Sequence, residues 1–173
     1  MKLTPCGWAF LRAEPQVGVR KKQTIKHTPN MLRIAIQAKG RLNQQSIDLL
    51  SEAGIRVAES KRKLISRAEG FPLEVLYLRD DDIPQAVAMG VADLGIVGLN
   101  EVEEKNFNVT LTHKLGFGKC RISLAVPKTE TYPGLEYFNG KRVATSYPAM
   151  LSRFFTEKGM SAEIPEIAGA VEI

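Results

Sequence analysis

The chain of 173 residues can bury one substantial hydrophobic core or two small lobes, but not two large domains. Its composition, 44% hydrophobic and 25% charged, is ordinary for a globular protein, and no apolar run approaches the length of a membrane span. The two cysteines, Cys6 and Cys120, match no disulfide or metal-binding spacing, which predicts a chain of the reducing cytoplasm with no membrane partner.

The net charge of +5 is confined to the first 30 residues. This segment carries six Lys or Arg against one acidic residue, whereas the remaining 143 residues hold 18 of each sign. The neutral remainder therefore gives no reason to expect a nucleic-acid partner. Residues 1–30 also lack sustained hydrophobic periodicity, so they predict a disordered tail, a targeting peptide, or an extension upstream of a natural start at Met31.

A regular alternation of strands and helices follows this segment. The run LRIAIQ (32–37) predicts a strand, and residues 44–53 predict a helix with one apolar face, for which Asn43 is a candidate N-cap. Two further strands are predicted at 61–68 and 73–78, joined by a turn. Alternation of this kind predicts an α/β fold.

The turn between the first strand and the first helix contains Lys39, Gly40 and Arg41. A glycine lets the backbone approach a ligand closely, and two cations beside a helix start suit a phosphate or a nucleotide. The same triplet is common on solvated loops, so by itself it is a weak signal. It makes this turn the first candidate binding position.

The segment Leu73–Gly98 predicts one strand, helix, strand unit around which the rest of the chain is organised. Three aspartates (80–82) follow the first strand, and Asp81 or Asp82 can cap a short helix that has Pro84 in its first turn. The second strand is apolar on both faces, as expected for a strand buried in a parallel sheet. The aspartates are either caps and solvated groups, or part of a ligand site with the backbone of Gly95 and Gly98, because α/β sheets bind ligands at strand ends.

The second half of the chain predicts several strands around one helix. The helix covers residues 147–159, with Ser146 as its cap and Pro148 in its first turn. Glycines at 116 and 118 would let a segment bend between two of the strands. The predicted strands lie at 108–115, 120–126, 141–145 and 162–167.

The strands on either side of Gly116 predict a crossing from one lobe to another. The predicted organisation is therefore an incomplete first α/β lobe (31–100) and a second α/β lobe (101–173). His113 is the only histidine beyond residue 30, and no serine has an adjacent base, so a nucleophilic triad has no support.

Five separated stretches of the sequence occur in the order found in one known family. They are LRIAIQAKGRLN (32–43), FPLEVLYLRDDDIPQAVAMGVADLGIVG (71–98), LGFGKCRISLAVPK (115–128), GKRVATSYPAML (140–151) and GAVEI (169–173). From Leu32 onwards the chain thereby resembles the catalytic region of ATP phosphoribosyltransferase, the first enzyme of histidine biosynthesis.

The resemblance implies a fold and a reaction. The fold would be two α/β lobes similar to periplasmic binding proteins, with the active site in the cleft. The enzyme, a glycosyltransferase, would transfer the phosphoribosyl group of phosphoribosyl pyrophosphate (PRPP) to ATP, giving phosphoribosyl-ATP and pyrophosphate. Its implied cofactor is Mg²⁺ carried with the pyrophosphate, its partners are ATP, PRPP and, when complete, further copies of itself, and its location is the cytoplasm.

The resemblance also implies substrate-binding positions, without a named catalytic residue or a protein metal ligand. They are Gly40 and Arg41 for nucleotide or phosphate, Asp93 and Gly95 for the cleft wall, Arg121 for anionic substrate, Thr145, Ser146 and Tyr147 at a strand end of the second lobe, and Glu172 for a ribose hydroxyl.

Three departures from the family pattern bear on activity. Leu99 stands where the family has an acid in the motif GEN, and Ala170 stands where it has the serine of GSVE. No DLVSTGxTL loop, which binds the phosphoribosyl 5′-phosphate in the family, occurs in the sequence. The sequence therefore predicts a family member truncated at the C-terminus, or alternatively a non-catalytic nucleotide-binding fragment or partner subunit.

Overall fold

The computed structural model describes residues 3–6, 8–13, 31–58 and 64–167. The chain divides into a larger unit, Cys6–Lys119, and a smaller unit, which comprises Met1–Pro5 and Cys120–Ile173. Both contain strands and helices, which confirms the predicted α/β class. In the described residues, no helix is both long and apolar enough to cross a membrane.

The larger unit is built on one seven-stranded sheet of order β4-β5-β6-β3-β7-β2-β8. Its central strands β3, β6 and β7 are parallel to one another, whereas β2, β4 and β5 each run antiparallel to their neighbours. After β1 (Leu3–Cys6), the strands are β2 (Trp8–Ala13), β3 (Leu32–Gln37), β4 (Arg56–Val57), β5 (Ile65–Glu69), β6 (Leu73–Leu78), β7 (Leu94–Gly98) and β8 (Val109–Lys114).

Three helices connect these strands. They are α1 (Arg41–Glu52), α2 (Ile83–Ala88) and α3 (Leu99–Lys105), and a 3₁₀ turn over Asp80–Asp82 leads into α2. Pro84 lies in the first turn of α2, as predicted, where a missing N–H costs nothing. The strands β3, β6 and β7 carry consecutive buried apolar residues, as expected for parallel strands covered on both faces.

The structure of Trp8–Ala13 bears on one of the three alternatives predicted for residues 1–30, the disordered tail. These residues form β2, which lies between β7 and β8, and its side chains Trp8, Ala9 and Leu11 are buried. The disordered-tail alternative is wrong for this part, because the run is too short to show periodicity on its own and its burial depends on strands far along the chain. Residues 14–30 lie outside the described residues.

The boundary between the units also differs from the prediction. The larger unit extends to Lys119, so α3 and β8 belong to it and not to a second lobe starting at residue 101. The reason is that β8 is hydrogen bonded to β2, and the α3 residue Val102 packs against the large hydrophobic core.

The smaller unit packs around Phe138, Leu151, Phe155 and Met160. Its helix α4 (Pro148–Glu157) begins at Pro148, and a two-stranded sheet joins β1 to β9 (Cys120–Ile122). The predicted strands at 141–145 and 162–167 are present only as a short parallel pairing, with bridges at Arg142 with Glu163 and at Thr145 with Glu166.

Candidate functional site

The carboxyl ends of the three parallel strands form the candidate site of the larger unit. Gln37 at the end of β3 is the register partner of Leu78 at the end of β6, and β7 runs parallel to β3 on its other side. The segments that follow these strands therefore start from one edge of the sheet, which we call the carboxyl edge. It comprises residues 37–41, 78–82 and 98–101.

The start of α1 gives the carboxyl edge its hydrogen-bond donors. Gly40 is the N-cap residue, with a φ of 97° that favours glycine, and no side chain caps the helix. The first N–H groups of an α-helix have no partner within the helix, and no side chain in the described part of the chain caps those of this 12-residue helix, so they can bind an acceptor. Asn43 is not the cap, because it lies inside the first turn and donates to the Gln37 carbonyl oxygen at 2.7 Å.

Two cations accompany this helix start. Lys39 and Arg41 flank Gly40, and both are exposed. No ion pair connects either of them with another residue in the described part of the chain. Together with the positive end of the helix dipole, they make the carboxyl edge suited to a phosphate group. The predicted binding residues Gly40 and Arg41 thus lie at the start of α1.

Two buried acceptors lie at the same edge and were missed as site residues. Among the described residues, Gln37 Oε1 and Asp80 Oδ1 are buried without a hydrogen-bond partner. Burial, together with the nearby Glu101 and Asp81 carboxylates, raises the pKa of Asp80 to about 7. The sequence signal was available, because Gln37 ends a strand and Asp80 follows one closely.

The aspartates of the 3₁₀ turn do not cap α2 as predicted. Asp82 occupies the N-cap position but makes no side-chain capping bond, and Asp81 forms an ion pair with Arg79 at 3.2 Å. The turn over 80–82 replaces the cap, since its own backbone bonds lead into the helix. Asp80 lies partly buried near the carboxylates of Glu101 and Asp81.

The third segment of the carboxyl edge is the start of α3. Glu101 is buried there, and the Asn100 amide donates to its Oε1 at 2.9 Å. Gly98 allows this arrangement, because a β-carbon at that position would overlap the Asn100 side chain. Leu99, where the family has an acid, is half-buried in the first turn.

Asp93 and Gly95 do not lie with Gly40 at the carboxyl edge. Asp93 precedes β7 at the opposite end of the parallel strands. There its Oδ2 accepts a hydrogen bond from the backbone N–H of Arg33 at 2.8 Å. Gly95 is the second residue of β7, and a β-carbon there would come within 2.7 Å of Ile83 Cγ2. In this structure Asp93 connects the start of β7 to β3, and Gly95 lets α2 pack closely on the sheet.

The remaining predicted positions belong to the smaller unit. Arg121 is exposed on β9, and Thr145, Ser146 and Tyr147 lie together immediately before α4. The Thr145 hydroxyl oxygen accepts the Tyr147 N–H at 3.0 Å, so the predicted Ser146 cap is wrong and the loop is held by its neighbour. Glu172 lies outside the described residues.

Comparison with known proteins settles the family. The family model described as ATP phosphoribosyltransferase matches residues 79–173, which is more than half of the chain. The chain belongs to the ATP phosphoribosyltransferase family. The resemblance drawn from the sequence motifs is therefore confirmed.

Individual members of the family show what share of a relative's length this chain matches. The ATP phosphoribosyltransferases of Parabacteroides distasonis and Bacteroides thetaiotaomicron are 59% and 56% identical over 143 residues. That match takes in 83% of this chain but only 50% of each relative, so the chain spans about half their length. The solved ATP phosphoribosyl transferase (HisG:HisZ) complex from Thermotoga maritima matches with a TM-score of 0.65 and 27% identity, over 83% of this chain and 66% of that one.

Proposed function

We propose that this chain is the part of an ATP phosphoribosyltransferase that binds the substrates at the carboxyl edge. The complete enzyme would transfer the phosphoribosyl group of PRPP to ATP as the first step of histidine biosynthesis. Family membership supports the reaction. The main observation that supports this location for the binding site is the uncapped start of α1 beside Gly40 and Arg41. The chain spans about half of its curated relatives, so the activity of the whole protein is part of this proposal.

The reaction calls for the groups found at this edge. A ring nitrogen of adenine attacks the anomeric carbon of PRPP, a nitrogen–carbon bond forms, and the bond to pyrophosphate breaks with its electron pair leaving on oxygen. Positioning and charge neutralisation can accelerate such a displacement without a protein nucleophile. Cations and free backbone N–H groups can provide the positioning and the charge neutralisation. In this chain they are Lys39, Arg41 and the N–H groups in the first turn of α1.

The acceptors of the carboxyl edge would orient the nucleotide. Phosphate oxygens would accept from the α1 N–H groups and from the fixed donor fork of Arg41. Gln37 Oε1 would accept from an amino or hydroxyl group, because it has no partner in the described part of the chain. The Asp80 carboxyl, with its pKa of about 7, could donate or accept near neutral pH.

Magnesium would enter with the substrate. Phosphate oxygens are ligands that Mg²⁺ prefers, so the ion would be held mainly by the substrate. When bound, the ion would neutralise charge on the leaving pyrophosphate. We also place the protein in the cytoplasm, where the exposed free thiol of Cys120 stays reduced, and expect the complete enzyme to be a homo-oligomer.

Calorimetric titration of the chain with ATP tests the site. Arg41→Ala is expected to weaken ATP binding about 10- to 100-fold, because a charge-assisted hydrogen bond to phosphate contributes about 1.5–3 kcal/mol. Arg41→Lys should recover part of the loss, since it restores the charge but not the fork. Arg56→Ala is the matched control, because it removes the same charge from an exposed position on β4. Equal effects of the two alanine variants would rule out the carboxyl edge as the phosphate site.

A non-catalytic nucleotide-binding subunit is the second candidate function. It is favoured by Leu99, which leaves the start of α3 without the acid found there in the family pattern. Titration with PRPP and measurement of phosphoribosyl-ATP formation separate the two. ATP binding without product formation would support the binding subunit, and product formation would support the enzyme.

A further inference from the structure

Asp80 holds a carboxyl group in an unfavourable environment at the carboxyl edge. Its Oδ1 is buried, and in the described part of the chain this oxygen accepts no hydrogen bond. None of the ion pairs formed by the described residues includes Asp80. An ionised carboxylate that loses water without gaining a donor is disfavoured relative to the neutral acid. The environment of Asp80 therefore favours its protonated form.

The charges around Asp80 act in the same direction. Its 3₁₀ turn packs against α2, which has no charged residue, and against α3, in which Glu101 is buried. The turn itself adds the carboxylates of Asp81 and Asp82, and the Arg79 guanidinium is paired with Asp81 at 3.2 Å. The other charged residues of α3 are Glu103, Glu104 and Lys105. Burial and the carboxylates of Glu101 and Asp81 raise the pKa of Asp80 to about 7.

Asp80 lies close to the start of α1, where a phosphate would bind. The Ala38 N–H donates to the Leu78 carbonyl oxygen at 2.7 Å, so the segments that follow β3 and β6 begin side by side. Gly40 and Asp80 each come two residues after this hydrogen bond. Since neighbouring strands are about 5 Å apart, a phosphate at Gly40 would be on the order of 10 Å from Asp80. At that distance one negative charge raises a pKa by about one unit, for an effective dielectric constant of about 20.

We propose that nucleotide binding at the carboxyl edge is coupled to proton uptake by the Asp80 carboxyl. This inference rests on the function proposed above, because the bound phosphate supplies the charge that favours protonation. The proton comes from solvent and adds to a carboxylate oxygen, and no bond of the nucleotide changes. The neutral carboxyl no longer repels the phosphate, and its O–H becomes a hydrogen-bond donor. Through Asp80, ATP binding should therefore weaken as the pH rises.

Calorimetric titration with ATP, in buffers of different ionisation enthalpy, counts the protons taken up. If binding raises the pKa of Asp80 from about 7 to about 8, its uptake should be about 0.4 proton per ATP at pH 8 and less than about 0.1 at pH 6. The phosphates of ATP also exchange protons near neutral pH. The contribution of Asp80 is therefore the difference between the protein and Asp80→Asn, in which only the ATP exchange remains.

Two further variants separate Asp80 from a general effect of charge. Asp48→Asn removes the same charge from an exposed position on α1 outside the carboxyl edge, so it should leave the uptake unchanged. Glu101→Gln keeps an acceptor for the Asn100 amide but removes a carboxylate near Asp80. It should lower the pKa of Asp80 and reduce the uptake at pH 8 to about half or less.

The outcomes distinguish this inference from the proposed function. If the protein and Asp80→Asn bound ATP with equal proton uptake at pH 8, the coupling would be overturned and the proposed function would stand. A loss of uptake as large in Asp48→Asn as in Asp80→Asn would overturn the coupling as well. If the protein did not bind ATP at all, the proposed function and the coupling would both fail.

Discussion

The indole N–H of Trp8 donates a hydrogen bond to the carbonyl oxygen of Gly118 at 3.0 Å, joining positions 110 residues apart. Gly118 has a φ of 62°, and a β-carbon there would overlap the indole. Trp8 is the only tryptophan of the chain and is 5% exposed. Its fluorescence therefore reports whether β2 is seated between β7 and β8.

Leu11→Ala tests whether β2 belongs to the core. Leu11 is fully buried, so its truncation is expected to lower the free energy of unfolding by about 2–5 kcal/mol. Arg12→Ala, on the exposed side of the same strand, should change it by less than about 0.5 kcal/mol. Urea unfolding followed by Trp8 emission measures both. If both substitutions lowered the free energy of unfolding by a similarly small amount, β2 would contribute little to stability.

Glu74→Gln tests a buried ion-pair network across three strands. Glu74 on β6 is 7% exposed, and its two carboxylate oxygens accept from Arg33 on β3 at 3.0 Å and from Arg67 on β5 at 3.1 Å. Removing its charge leaves the partly buried Arg33 without a counter-ion. We expect a loss of about 2–3 kcal/mol in the free energy of unfolding. Glu163→Gln, in an exposed pair with Arg142, should cost less than about 1 kcal/mol.

The same network predicts a direction for acid sensitivity. Burial alone would raise the pKa of Glu74, but hydrogen bonds from Arg33 and Arg67 outweigh it and leave the pKa below its ordinary value of 4.5. Its stabilising contribution is therefore present above pH 4.5 and is lost as the pH falls below that value. The difference in stability between the protein and Glu74→Gln should shrink in acid, as chemical unfolding between pH 7 and pH 3 would measure.

Asp80→Asn predicts the opposite dependence on pH. The pKa of Asp80 rises from 3.8 to about 7 in the folded chain, so folding is disfavoured progressively between those values and by a constant amount above them. The variant should become more stable than the protein as the pH rises from 4 to 8, by about 1 kcal/mol after allowing for partial exposure. Asp82→Asn, at an exposed neighbour, is the control. If the difference in stability between Asp80→Asn and the protein did not change with pH, the raised pKa of Asp80 would be contradicted.

Gly95→Ala tests the close packing of α2 on the sheet. A β-carbon at this position would lie 2.7 Å from Ile83 Cγ2 and 3.0 Å from Val87 Cγ2, and both side chains are fully buried. We expect a loss of about 1–3 kcal/mol in the free energy of unfolding, as for other overpacked cores. In combination with Val87→Ala the cost should be less than the sum of the two single changes. Strict additivity would show that the clash is relieved in some other way.

The site could be predicted from sequence only where its signal is local. Gly40 needs a positive φ at the start of a helix, and that requirement is visible in the residue itself together with the pattern around it. Asp80 and Asp93 look equivalent in the sequence, since each is an acid next to a strand. The structure places Asp80 at the carboxyl edge and Asp93 at the other end, because one follows a strand and the other precedes one.

By itself, the sequence determined the strands β3, β6 and β7, the first turns of α2 and α4 with their prolines, and the family. These features follow from short-range patterns of side chains and from backbone preferences. Only the tertiary structure decided that Trp8–Ala13 is a core strand, that the larger unit extends to Lys119, and that Gln37, Asp80 and Glu101 belong to one edge. Strand order and burial arise from contacts between segments distant along the chain, which no local pattern contains.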